Sequence, residues 1–368
     1  MKNVSVEQLK IEGGGRIIGL DVFRIALALL IFMFHSQIHF KCSYSYANDF
    51  VKTGAIAMTG FMLLSGFVLY MSYSKKDFSN ITEVKTFYLK RLISILPLYY
   101  SIAIIHVAYQ TITGNISLAD VAILFPVELF SVQSTYFSLF PYSHNSGTWF
   151  ISCILICYAL YPFIQFLISS SSKKFILITL LVISGMLLYA PIVRYYFGLD
   201  KLTIYANPFY RLLEFMIGVI LAYIVSLGIK AKLLYVLISP FSLLITVFIM
   251  IFSISVFRHY FSSNDFMLYN WIALPCFVVI IVNLTLTPLK SIRHSILIQY
   301  LSSIAFTFFL CQVLPLWSAS KIVYNHFCSD SNLLKILISL AMCLLGAIII
   351  HELIEKPASK YLKTKLLK

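Results

Sequence analysis

The stretch Gly19–Phe40, GLDVFRIALALLIFMFHSQIHF, decides how the rest of the chain is read. A helix that crosses a membrane needs about 20 largely apolar residues, and this run of Leu, Ile, Ala, Met and Phe supplies them. Asp21, Arg24, His35 and His39 interrupt it. Ionisable groups inside a bilayer are costly and usually face a partner, a cavity or a pathway. At 100° per residue, Arg24 and His35 fall within about 20° of each other on one helical face, separated by roughly 16 Å along the axis. Asp21 precedes Arg24 by one turn and His39 follows His35 by one turn. The spacing predicts a polar stripe running from one membrane surface towards the other, suited to meeting an anion at one end and moving a proton nearer the other. The competing reading is an ordinary i,i+3 ion pair with Arg24 snorkelling to the interface, plus a hydrogen-bonded packing histidine.

The remainder of the chain agrees with a membrane setting. Of its 368 residues 60% are hydrophobic and 11% charged, where a soluble domain carries roughly 25% charged residues. The expected fold class is all-α: a polytopic membrane helix bundle of about ten transmembrane helices forming a single domain, 1–368. The apolar runs predict spans at 17–38, 52–73, 93–112, 147–168, 175–197, 206–227, 233–256, 268–286, 297–320 and 333–353. A shorter apolar stretch, 118–132, contains Asp120, Pro126 and Glu128 and reads as a re-entrant or interfacial segment. The first sixteen residues are polar and the apolar run after them is too long for a signal-peptide core, so no cleavable leader is expected.

The net charge of +14 raises nucleic acid as a partner. The placement of the charges assigns them another role. With the N-terminus inside, 19 of the 28 basic residues fall on inner segments and seven on outer segments, leaving Arg24 and Arg211 within spans. That bias follows the positive-inside rule and predicts a cytoplasmic N-terminus (1–16), an external loop at 113–146 and a basic cytoplasmic tail at 354–368. No nucleic acid is needed to explain the charge; the lipid bilayer is partner enough. Cys153 and Cys157 lie one turn apart and read as packing residues; no cysteine–histidine set has metal-ligand spacing, so no metal is expected. Cys42 and Cys328 fall in loops, and sequence alone leaves their pairing open.

The opening stretch resembles the start of the integral-membrane acyltransferase type 3 family, including its Arg-x10-His pattern. Further blocks agree in order: GFMLLSGFVLY (60–70), FYLKRLISILPLYY (87–100), GTWFISCILICYALYP (147–162), FYRLLEFMIGVILAY (209–223), LSSIAFTFFLCQ (301–312) and the terminal IEKP (354–357). The resemblance covers essentially the whole chain. It implies a bacterial cytoplasmic-membrane enzyme that takes an acyl group, commonly acetyl, from cytoplasmic acyl-CoA. The acceptor is a hydroxyl of a surface polysaccharide or its lipid-linked precursor. Acyl-CoA is then a co-substrate and no cofactor is expected. The resemblance also marks His35 and Arg24 as the essential histidine and arginine.

The residue types suit that chemistry. A sugar hydroxyl is a poor nucleophile until a base takes its proton, and neutral imidazole is an appropriate base near pH 7. CoA carries phosphate charges that Arg24, with Asp21 beside it, can meet, together with Lys90 and Arg91. For the two basic residues at 90 and 91 the positive-inside rule is an equally sufficient explanation. Two departures from the family pattern stand out. Ser94 follows Lys90 and Arg91 where a further arginine often stands, and Gln312 occupies the place of a late histidine, which places the proton transfer on His35.

Secondary candidates for an acceptor site or cavity are Ser65, Trp149, Arg211, Glu214 and Gln312. Each has a structural alternative. Ser65 with Gly66 suits close helix packing. Trp149 suits an interfacial anchor. Arg211 and Glu214 suit a structural ion pair. HELIEKP (351–357) reads as an inner-surface motif in which Pro357 stops the helix. The main competing function is a transporter or flippase for a lipid-linked glycan. That class commonly shows matched broken helices in two halves, whereas this sequence shows the Arg24–His35 stripe and no evident repeat. A catalytically retired family member is a third possibility, against which intact Arg24 and His35 argue.

Overall fold

A computed structural model describes residues 16–135, 139, 143, 147–200, 204–227, 239–261, 266–287, 289, 292, 294–322 and 331–367. All secondary structure among them is helical. The main helices in chain order are α1 (Ile18–Phe40), α2 (Ala57–Tyr73), α3 (Ile81–Ile112), α4 (Leu118–Phe130), α5 (Trp149–Ser170), α6 (Lys173–Tyr196), α7 (Pro208–Ser226), α8 (Pro240–Phe261), α9 (Phe266–Leu286), α10 (Ile296–Cys311), α11 (Val313–Ile322), α12 (Asn332–Ile350) and α13 (Lys356–Leu366). Among the described residues nine helices are long and apolar enough to cross a membrane. The number becomes ten if α10 and α11 count as one bent span.

Local chemistry sets the helix ends. Asn80, Ser117, Ser172, Asn207 and Ser295 each accept a hydrogen bond from a first-turn backbone N–H, which would otherwise lack an intrahelical partner. Pro208 opens α7, where its missing N–H costs nothing. At the start of α4, Ser117 and Asp120 cap each other. Hydrogen bonds from the Ser117 backbone and side chain hold the Asp120 carboxyl below its ordinary range. That stretch, read from sequence as re-entrant or interfacial, is a separate helix of 13 residues.

Helices α2 and α7 are held in close contact by paired glycines. A Cβ at Gly66 would stand 2.1 Å from the Phe215 carbonyl oxygen, and one at Gly218 would stand 2.1 Å from that of Leu63. Small residues let helix backbones approach in membranes, where dispersion contacts drive association. The buried core gathers residues of α1, α2, α5, α7, α9 and α10. Helices α6 and α8 are peripheral and present apolar side chains outward, among them Leu181, Leu188, Phe248 and Phe252. Those surfaces suit hydrocarbon surroundings.

Several boundaries differ from the sequence expectation: α3 begins at Ile81 and not at 93, and α8 runs on to Phe261 and not only to 256. The span expected at 297–320 is broken, with α10 and α11 meeting at 70° across Gln312. The helix expected to stop at Pro357 instead runs on to Leu366 through a π-helical turn, His351–Glu355. A proline ring ordinarily clashes with the carbonyl four residues earlier. The wider π turn places that carbonyl differently, and Pro357 then serves as a first-turn residue of α13. The expected tail, 354–368, is therefore largely helical. Cys42 is buried and free; its possible partner Cys328 lies outside the described residues, as do 1–15 of the N-terminal segment and parts of the 113–146 loop.

Candidate functional site

Helix α1 carries two polar centres, one near each end, and α10–α11 supplies the partner for both. At the Ile18 end, Asp21 is almost fully buried and gathers three groups. Arg16 donates to it through Nε at 2.5 Å and Nη2 at 3.0 Å. Arg24 Nη1 donates at 3.3 Å, and the Ser302 hydroxyl at 2.6 Å. Ser302 also accepts from Arg24 Nη1 at 2.8 Å. Two guanidiniums on one carboxylate leave a net positive charge. The Arg24 side chain is 30% exposed against 5% for Asp21. Asp21 thus anchors Arg24 without neutralising it, and one edge of the guanidinium remains open.

Arg91, from α3, extends this cationic region. Its Nη2 donates to the Tyr73 hydroxyl at 3.1 Å, and its Cζ lies 5.4 Å from the Tyr73 ring centroid and 5.9 Å from that of Tyr158. Tyr158 is within electrostatic reach of both Arg91 and Arg24. Among the described residues no acid pairs with Arg91, and its buried Nε has no partner. Arg24 and Arg91 thus both act electrostatically on Tyr158, on α5. Lys90 is half-buried on the same helix and forms no hydrogen bond or ion pair among the described residues. Arg16, Ser302 and Tyr158 were not singled out from sequence. Arg16 looks like any surface charge, and the contacts of the other two link distant parts of the chain.

Towards the other end of α1, His35 Nδ1 stands 3.0 Å from Gln312 Oε1. Gln312 is fully buried at the break between α10 and α11. Its second side-chain atom, Nε2, has no partner among the described residues. An unsatisfied buried donor costs about 1–3 kcal/mol, so such groups are uncommon and call for a reason. An apolar cavity of about 360 Å³ between α3, α12 and the break is lined by Cys311 and Val313 but not by Gln312. The carboxamide therefore serves α1 and not that cavity. The His39 ring lies 5.9 Å from that of His35 and 6.4 Å from that of Trp317, which also meets His106 at 5.5 Å.

Arg211 and Glu214 are wholly enclosed and form an ion pair at 2.7 Å. Arg211 also donates to the Tyr205 carbonyl at 2.8 Å and to Thr59 Oγ1 at 3.1 Å. Glu214 Oε1 accepts from Thr59 at 2.8 Å and from Asn270 Nδ2 at 3.2 Å. Trp149 and Tyr205 cover the guanidinium, with ring centroids 5.2 and 4.8 Å from its Cζ. Trp149 is thus placed inside the protein against Arg211 and not at an exposed interface. Ser65 is half-buried beside the Gly66 contact and makes no hydrogen bond among the described residues. Among the described residues no group of three or more His, Cys, Asp or Glu side chains is placed to hold a metal.

The arrangement offers a partly open cationic mouth at one end of α1 and a half-buried, hydrogen-bonded imidazole at the other. A family model described as an acyltransferase domain matches residues 17–352, which include every residue of both centres except Arg16. No curated protein and no solved structure matches the chain.

Proposed function

The chain belongs to the acyltransferase 3 family, and from that premise we propose that it carries an acyl group, acetyl in the first instance, from cytoplasmic acyl-CoA to a hydroxyl of a cell-surface glycan or its lipid-linked precursor. The observation that carries this reading is the joint placement of Arg24 and His35 on α1: an open arginine at one end and a hydrogen-bonded imidazole at the other. Arg24 and Arg91 bind phosphate groups of the donor, and the pantetheine arm spans the distance to His35. His35 is the general base. The acceptor oxygen attacks the thioester carbonyl carbon as its proton passes to the imidazole. The carbon–sulfur bond then breaks, and the proton leaves His35 for the departing CoA thiolate. Asp21 holds Arg24 in place, and the enclosed Arg211–Glu214 pair supports the wall formed by α2, α5 and α7.

In a bilayer mimetic, purified protein with labelled acetyl-CoA and an acceptor glycan is expected to transfer the label. His35→Gln keeps a hydrogen bond but cannot accept the proton, and is expected to lose on the order of 10²–10⁴-fold in turnover. Near-normal turnover of that variant would remove His35 as the base. Glycan movement without label transfer would favour the transporter reading.

A further inference from the structure

We infer that Gln312 is the residue that makes His35 a base on the correct side of its ring, and that the amide nitrogen of Gln312 is a donor held ready for a substrate oxygen. The inference rests on the acyl-transfer reading and adds to it a second residue with two separable duties.

The first duty follows from the contact at His35. Gln312 Oε1 can only accept a hydrogen bond, so the His35 Nδ1 that faces it at 3.0 Å must carry the proton. In the neutral ring this leaves the lone pair on Nε2. One carboxamide thus selects the tautomer and fixes the ring plane, much as a second residue orients the base in other acyl-transfer sites. The amide suits the task because it imposes the tautomer while adding no charge to a buried site.

The second duty follows from the atom that remains. Gln312 Nε2 is buried and unpartnered among the described residues, although the same side chain is held firmly at its oxygen. The backbone around it explains how it comes to be there. The chain turns by 70° at Gln312, so the residue sits at the junction of two helices and not on the face of one. The Cys343 thiol contacts the Gln312 carbonyl oxygen at 3.8 Å, tying the junction to α12. A fixed donor beside the base is the arrangement that stabilises an oxyanion as a thioester carbonyl is attacked. The ligand expected at Nε2 is therefore the carbonyl oxygen of the acyl group.

Three variants separate the duties. Gln312→Glu is isosteric, keeps an acceptor for Nδ1 and removes the amide donor. Gln312→Leu removes both. Gln312→Asn keeps both groups but withdraws them by one methylene. Turnover and KM for acetyl-CoA are measured on monodisperse protein, and the His35 tautomer is read from the ¹⁵N resonances of selectively labelled histidine. The wild type should show Nδ1–H. Gln312→Glu should keep Nδ1 protonated, in the neutral ring or the imidazolium that a carboxylate favours, yet lose turnover on the order of 10²-fold, the usual scale for one oxyanion donor, with KM little changed. Gln312→Leu should lose at least as much and show mixed tautomers. Gln312→Asn should fall between the wild type and Gln312→Leu in turnover. An Nε2–H signature in the wild type, or an unaltered tautomer in Gln312→Leu, overturns the first duty. Full turnover in Gln312→Glu, or a rise in KM with kcat intact, overturns the second. Wild-type protein inert towards every acyl-CoA overturns the acyl-transfer reading and the second duty with it, and the tautomer signal then decides the first by itself.

Discussion

Arg24 is anchored and left open at once. Asp21 and Ser302 hold one nitrogen, while Arg16 shares the carboxylate and so prevents Asp21 from cancelling the charge. Arg24→Lys preserves the charge but loses the planar fork that meets a phosphate through two parallel hydrogen bonds. A hydrogen bond to a charged group is worth about 1.5–3 kcal/mol, so a roughly tenfold or greater rise in KM for acyl-CoA is expected, with the smaller change in kcat. Donor titrations of the purified variant would check it. An unchanged KM would make Arg24 a snorkelling charge and no donor ligand. His39 contacts His35 and Trp317 through its ring only and sits at the end of α1, so it is no part of the proposed proton path.

At the scale of elements, the polar stripe on α1 was legible because helical periodicity is a local property: four residues and a period of 3.6 place it. Its partners were not legible. His35 and Gln312 are 277 positions apart, and Arg24 and Ser302 are 278 apart. The break at Gln312 does have a local cause in Pro315, whose ring would meet the Cys311 carbonyl four residues earlier in a continuous helix, although the apolar run through 297–320 reads as unbroken. The rule that proline ends a helix failed at Pro357 because a π turn precedes it. Close packing at Gly66 was readable as a small residue in an apolar span, although its partner Gly218 was not. That contact is testable. Gly66→Ala would force a methyl group against the Phe215 carbonyl and part α2 from α7, at a cost of about 1–3 kcal/mol or more by the usual scale of overpacking. A lower thermal midpoint in detergent is expected for Gly66→Ala. No such change is expected for Gly185→Ala, where nothing stands within 4 Å of the new carbon. Equal midpoints for the two would refute the interlock.

For the whole molecule, the proposed chemistry needs Arg24 at the cytoplasmic face and the far end of α1 outside. Residue 135 should then be external. In a background with the native cysteines replaced, Thr135→Cys is expected to react with an impermeant maleimide added to intact cells, and reaction only after permeabilisation would invert the orientation. The molecule must also be built before it can work, and the enclosed pair on α7 bears on that. Arg211 and Glu214 stand three residues apart on one helix, while the rings of Trp149 and Tyr205 that shelter them come from outside it. A lone charge at the centre of an inserting helix costs roughly 2.5–3.5 kcal/mol on translocon scales. Because α7 brings both signs with it, the segment enters the lipid as a zwitterion and does not wait for α9, later in the chain, to supply Asn270 before its charges are paired.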